Sequence, residues 1–262
     1  MKIKSRETLK GRYGEIKKLY RSGLSIREIA KKVKVSQKTV WNTFQKCGLQ
    51  ARKSTDANRT LRLNQRFFRR INTEEKAYML GFIFADGYVC QETRTYCMAI
   101  ELNEKDIELL KKFKKLLQAE TKLRFNRGAV KLRCHSEKLV EDLAKYGCVS
   151  PKSNRVRFPY MYKKFNRHFI RGVFDGDGCV TFNDGNIVAY ICGDHTFLEE
   201  VKARCPTNGA TLSLIDRKSN HARVYWYCKN AEKFLKWLYK DAKIFMKRKH
   251  DKFINYMKTS KH

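Results

Sequence analysis

Residues 79–89 read Met-Leu-Gly-Phe-Ile-Phe-Ala-Asp-Gly-Tyr-Val, and residues 170–180 read Ile-Arg-Gly-Val-Phe-Asp-Gly-Asp-Gly-Cys-Val. Both fit one frame: Gly, three residues, a small residue, Asp-Gly, any residue, Val. One Asp-Gly after an apolar run is ordinary turn chemistry. Two copies in one frame, with their aspartates 91 residues apart, mark a repeat.

The physics of the frame is specific. Asn72-Thr73-Glu74-Glu75 resembles a capping box with Asn72 in the cap position, which predicts a helix from there to about Asp86. Gly81 and Ala85 lie four apart, as do Gly172 and Gly176, so each predicted helix has a stripe of small residues on one face. Such stripes form a helix interface in which two backbones approach closely. Packing along them sets Asp86 and Asp177 side by side at one end. The macrodipole disfavours negative charge there, and neighbouring carboxylates repel, which raises the pKa of one of them. The arrangement becomes favourable when divalent cations fill the gap, and carboxylate-held metals suit phosphodiester cleavage.

On these phrases the chain resembles the single-chain LAGLIDADG homing endonucleases over roughly residues 72–256. The resemblance implies an α+β fold: a pseudo-twofold pair of αββαββα units forming a DNA-binding saddle, with each motif helix at the interface of the halves. It assigns Mg²⁺ to the motif's last acids, Asp86 and Asp177, and to the backbone carbonyls of Ala85 and Gly176. The motif's earlier Asp is kept as Asp175 but is Phe84 in the first copy, so Asp175 is the less secure site residue.

Composition agrees. The 262 residues hold 58 Lys plus Arg against 26 Asp plus Glu, a net of +32, which implies a densely anionic partner, nucleic acid first. A membrane surface is disfavoured, because the chain carries no long apolar stretch, basic amphipathic anchor or signal peptide. Nine cysteines without a Cys-x-x-Cys pair point to reduced thiols and a cytoplasmic, organellar or phage setting. Asp175-Gly176-Asp177-Gly178 begins like a calcium loop, but Cys179 stands where an oxygen ligand is needed.

Residues 1–50 form their own all-α unit with 14 Lys plus Arg against three acids. Ile16, Leu19 and Tyr20 share one helical face, a second helix follows Ser25, and Ser36 caps a third with Val40, Trp41 and Phe44 inward. The string Gly-Leu-Ser-Ile-Arg-Glu-Ile-Ala from Gly23, continued to Val40, resembles a resolvase-type helix-turn-helix. In that geometry Gln37, Lys38, Thr39 and Asn42 face the DNA major groove. Residues 51–71 read as a basic linker following the phosphate backbone.

The remainder divides into halves at 72–164 and 165–262. Each motif helix is followed by a hairpin, a helix, two strands and a last helix, with turns at Asn126-Arg127-Gly128 and Asn183-Asp184-Gly185. The resemblance places Arg94, Arg124, Arg127, Lys131 and Arg133 of the first half on the DNA-reading hairpins. Asn186, Arg217, Lys218, Asn220 and Arg223 are their counterparts, although each residue type is as common as a solubilising surface charge. It also implies a catalytic lysine after the last helix of each half: Lys152, and Lys247 or Lys249.

The expected function is therefore monomeric, site-specific cleavage of double-stranded DNA at a long asymmetric target. The rival readings are a transcription regulator on the same scaffold, which would not need both acids, and an RNA intron maturase. A helix-turn-helix favours DNA, because the major groove of A-form RNA is too narrow for it.

Overall fold

The structure, a computed structural model, describes residues 13–22, 24–46, 48–49, 61–92, 95–148, 157–206 and 208–259. The chain divides into two compact units, Met1–Thr60 and Leu61–His262.

In the first unit α1 (Tyr13–Arg21), α2 (Ile26–Val33) and α3 (Gln37–Lys46) close a small core of Ile16, Tyr20, Ile29, Ala30, Val33, Val40 and Phe44. Ser25 and Glu28 make a reciprocal capping box that starts α2, and Lys34 in the left-handed region ends it. Ser36 Oγ accepts from Thr39 N at 3.1 Å and so starts α3. Trp41, expected inward, is 42% exposed, and Thr43 fills the core position instead. On a helix positions 40, 43 and 44 share a face that position 41 leaves.

The second unit begins with residues 61–71, which belong to its core region and not to a linker. Phe67, Phe68 and Ile71 are buried members of its hydrophobic core. The basic residues between them had hidden this apolar content. Helix α4 (Glu74–Asp86) starts from Thr73, one residue later than expected, with Thr73 Oγ1 accepting from Lys76 N.

Strands β1 (Gly87–Glu92) and β2 (Thr95–Asn103), helix α5 (Ile107–Leu116), strands β3 (Arg124–Asn126) and β4 (Ala129–His135) and helix α6 (Glu137–Ala144) complete the first half. The second half repeats this order with α7 (Asn166–Asp177), β5 (Gly178–Asn183), β6 (Asn186–Asp194), α8 (His195–Lys202), β7 (Thr211–Asp216), β8 (His221–Tyr227) and α9 (Cys228–Tyr239). A further helix, α10 (Lys247–Thr259), closes the described chain.

The two antiparallel sheets have the same order, β1-β2-β4-β3 and β5-β6-β8-β7. Strand residues alternate: Val130, Leu132 and Cys134 are buried where Lys131 and Arg133 are not, and Ala222, Val224 and Trp226 are buried beside Arg223 and Tyr225. Helices cover one face of each sheet, leaving the other face of charged and aromatic side chains.

Helices α4 and α7 pack along their small residues. A Cβ at Gly81 would overlap the Phe169 carbonyl oxygen, and one at Gly172 would overlap that of Tyr78 and come within 2.7 Å of Phe82 N. Overlap with backbone cannot be relieved by a rotamer change. We therefore expect Gly81→Ala and Gly172→Ala each to cost about 3 kcal/mol in urea unfolding, the upper part of the range for overpacked cores. Gly193→Ala, whose Cβ would meet only Leu198 side-chain atoms at 3.8 and 3.9 Å, should change stability by less than ~0.5 kcal/mol. Equal, small effects at all three sites would refute the close-packed interface.

Candidate active site at the paired helix ends

The helix pair is tied at its N-terminal end by a buried ion pair. Arg171, fully buried on α7, donates from Nη2 to Glu74 Oε1 at 2.5 Å. It also donates from Nε to the Ile244 carbonyl at 3.0 Å and from Nη1 to the Leu238 carbonyl at 3.2 Å, and lies over the Tyr78 ring. Glu74 Oε1 accepts in addition from Lys243 N at 2.8 Å. His168 Nδ1 stands 3.1 Å from Arg171 Nη1. Burial first, and the adjacent guanidinium second, push His168 down to about 4.

One turn along, Asp175 is fully buried. It accepts from Tyr78 Oη at 2.7 Å, Tyr239 Oη at 2.8 Å and Met246 N at 2.7 Å. Burial raises its pKa, against the opposing pull of the Met246 hydrogen bond and Lys249. The two tyrosines rise well above their ordinary value, by burial and then by the Asp175 charge. Asp175 thus joins α4, α9 and the strand-free segment before α10, so its carboxylate is engaged inside the core. Its counterpart Phe84 does a different job, packing on Phe169 at 5.1 Å and Phe197 at 6.0 Å.

The small-residue stripe brings Asp86 against the residue that precedes Asp177. A Cβ at Gly176 would overlap Ala85 Cβ and lie 3.4 Å from Asp86 Oδ2, so the Asp86 carboxylate sits over the residue that precedes Asp177. Both aspartates are exposed at the C-terminal ends of their helices. Among the described residues no group of three or more His, Cys, Asp or Glu side chains converges. A cation here would be held by two carboxylates, the Ala85 and Gly176 carbonyls, and oxygens of water or substrate. That hard, water-rich donor set fits Mg²⁺, which is usually bound by one or two carboxylates and keeps several waters.

The lysines differ sharply. Lys247 is exposed and ion-paired with Asp251 on its own helix. Lys249 is only 4% exposed, and its Nζ lies within hydrogen-bonding distance of the carbonyls of Phe174, Asp175, Gly176 and Gly178, at 2.9, 2.7, 3.2 and 2.5 Å, which its three N–H groups share. It closes the C-terminal end of α7, where a cation complements the dipole. Burial lowers it to about 8, against the nearby charges of Asp175 and Asp86. Lys152 lies outside the described residues, as does Arg94.

The other expected contacts are spread over the sheets and turns. Arg124 is exposed on β3, Lys131 and Arg133 stand on the uncovered face of β4, and Arg127 occupies the β3–β4 turn with φ +46°. Lys131 is ion-paired with Glu101, while Arg133 Nε is buried without a hydrogen-bond partner. Asn186 opens β6, and Arg217, Lys218 and Asn220 form the β7–β8 turn, where Asn220 Nδ2 donates to Asp194 Oδ2 at 2.8 Å. In the first unit Gln37, Lys38 and Asn42 are exposed on α3, whereas the Thr39 hydroxyl is engaged with Ser36 Oγ at 2.8 Å.

Comparison with known proteins is informative through structure alone. No protein-family model matches the sequence, and no curated protein matches it. The LAGLIDADG homing endonuclease I-GzeII, solved with its DNA target, superposes with TM-score 0.53 at 10% identity, over 71% of this chain and 89% of that one. I-LtrWI bound to target DNA (TM-score 0.50, 11% identity, 74% and 89%) and the meganuclease I-AabMI bound to uncleaved DNA (0.50, 16%, 70% and 89%) are similar. The chain therefore has the mixed α+β fold of the LAGLIDADG endonucleases over about seven-tenths of its length. Among the described residues no helix is long and apolar enough to cross a membrane.

The depressed His168 carries a pH signature. Because its folded pKa lies below the ordinary 6.5, its stabilising contribution is complete above pH 6.5 and is lost as pH falls towards 4. His168→Gln keeps a side-chain acceptor for Arg171 without titrating. Urea unfolding between pH 7 and 4.5 should show a steeper acid decline for the parent than for this variant. Parallel declines would remove His168 from the account.

Proposed function

We propose that the chain is a monomeric, site-specific DNA endonuclease of the LAGLIDADG homing type, cutting both strands of a long asymmetric site by metal-assisted hydrolysis. The observation that carries this reading is the pairing of Asp86 and Asp177 at the exposed C-terminal ends of two helices packed backbone to backbone. Helix dipoles and mutual repulsion both oppose that placement. The buried Asp175, by contrast, is held by three hydrogen bonds inside the core.

In this reading Asp86 and Asp177, with the carbonyls of Ala85 and Gly176, hold Mg²⁺. The ion would supply an activated water and charge neutralisation at the scissile phosphate. The chain's own residues do the rest. The glycine stripe fixes the spacing of the two carboxylates. Lys249, not Lys247, is the lysine of the second half: its ammonium sets the last turn of α7 and brings positive charge beside Asp86. Lys152 is retained as its proposed counterpart in the first half.

The uncovered sheet faces form the two arms of a pseudo-twofold saddle on the duplex, with Arg124, Arg127, Lys131 and Arg133 on one arm and Asn186, Arg217, Lys218 and Arg223 on the other. The three helices of the first unit act as a helix-turn-helix, with Gln37, Lys38 and Asn42 directed at base edges and lengthening the target. The net charge of +32 suits this phosphate-rich partner.

Selection of cleaved sites from a randomised duplex library, with Mg²⁺ and with EDTA, supplies the target and tests the reading. Binding without cutting in any divalent ion would favour a regulator. On the selected site, Asp86→Asn and Asp177→Asn should each lower double-strand cleavage more than ~100-fold, since the ion contributes several kcal/mol, with DNA affinity kept. Undiminished cleavage by either variant would refute the metal assignment.

Lys249→Met should likewise abolish cleavage. Lys247→Ala, which removes only an exposed ion pair, should stay within about twofold of the parent. The reverse ranking would restore Lys247.

A further inference from the structure

The two sheets carry different chemistry at one equivalent position. Gly87 and Gly178, which follow the motif aspartates, pair with Ile100 and Ile191. The next residues along, Glu101 and Cys192, face Lys131 and Arg223 across the neighbouring strands. In the first sheet the Lys131 ammonium is neutralised by Glu101. In the second, Arg223 Nε donates to Cys192 Sγ at 3.2 Å, a contact that holds the guanidinium without an opposing carboxylate.

Arg223 is held on other sides as well. Its Nη1 donates to Tyr225 Oη at 3.4 Å, and the guanidinium lies 4.6 Å from the Tyr190 ring centroid and 5.5 Å from that of Tyr225. Tyr227 stacks on Tyr225 at 5.6 Å and extends the aromatic wall. Ala222 and Val224 on either side are fully buried, so Arg223 stands on the uncovered face. Two N–H groups of the guanidinium are engaged. Of its five donors the other three belong to the terminal nitrogens, in a planar fork of fixed direction.

We propose that Arg223, fixed by Cys192, Tyr190 and Tyr225, reads a guanine in the half-site under the second sheet, while the equivalent position under the first sheet carries no such preference. A guanidinium edge matches guanine O6 and N7 in the major groove. Fixing the side chain beforehand removes the ordering cost that a free arginine meets on binding. The inference rests on the sheets being the DNA surface. A phosphate contact by the same charge would be indifferent to sequence, so the two roles are separable.

The test is binding selection from a randomised duplex pool without divalent ions, using the full chain and its Arg223→Lys and Cys192→Ala variants. Unfolding midpoints serve as the control for folding. The parent should select a site with guanine dominant at one position of one arm. Arg223→Lys keeps the charge but lacks the fork. It should retain the rest of the site, lose preference at that position, and bind the guanine site about tenfold or more weakly. Cys192→Ala should weaken the same preference and no other.

An unchanged guanine preference in Arg223→Lys, or a uniform loss across all sequences, would overturn the proposal. If the parent selects no sequence at all, the DNA-surface reading fails before any variant is compared, and the proposal falls with it.

Discussion

The contact on which the rest of the second unit depends is backbone against backbone: Gly81 on the Phe169 carbonyl and Gly172 on that of Tyr78. Side chains that bury more apolar area would hold the helices further apart and leave the two aspartates in separate solvent shells. The small residues give up such burial in exchange for closeness. The remaining attachment comes from the ends of the pair, where the Glu74–Arg171 bridge and the Asp175 hydrogen bonds clamp α4 and α7 to α9 and to the segment before α10. A buried pair of this kind costs the desolvation of both ions, and removing one partner strands the other charge in the core.

The repeat is therefore unequal in its chemistry. At the position two residues before each motif aspartate, the first half has an aromatic ring packed on Phe169 and Phe197, and the second half has a buried carboxylate. The end of α7 is filled by an ammonium that reaches four carbonyls. At the equivalent sheet position one half has a neutralised lysine and the other an arginine held by a thiol.

Much of this could be read from the residues. The Gly-Asp frame pointed to the helix pair and its register, because close helix packing leaves few residue choices. Turn signals at Asn126-Arg127-Gly128 and Asp184-Gly185 located hairpins, where φ is positive at Arg127, Gly128, Asp184 and Gly185. Other features left weaker signals. Phe67, Phe68 and Ile71 were masked by the arginines among them, and Trp41 looked like core although position 41 leaves the buried stripe.

Helix α10 is so polar that only Lys249 and Phe253 are buried in it. Lys249 itself could not be told from its neighbours, since a lysine in a chain with 58 basic residues identifies itself only by where its stem is buried. Tyr190 and Tyr225 are residues that any strand favours, and only the lateral register brings them to Arg223.

Each first strand begins at the glycine directly after its motif aspartate, Gly87 after Asp86 and Gly178 after Asp177, with no intervening loop. Mechanically this makes the second unit a calliper whose jaws and pivot are one piece. Whatever spreads or twists one sheet against the other turns the helix ends with it, and so alters the spacing of the two carboxylates.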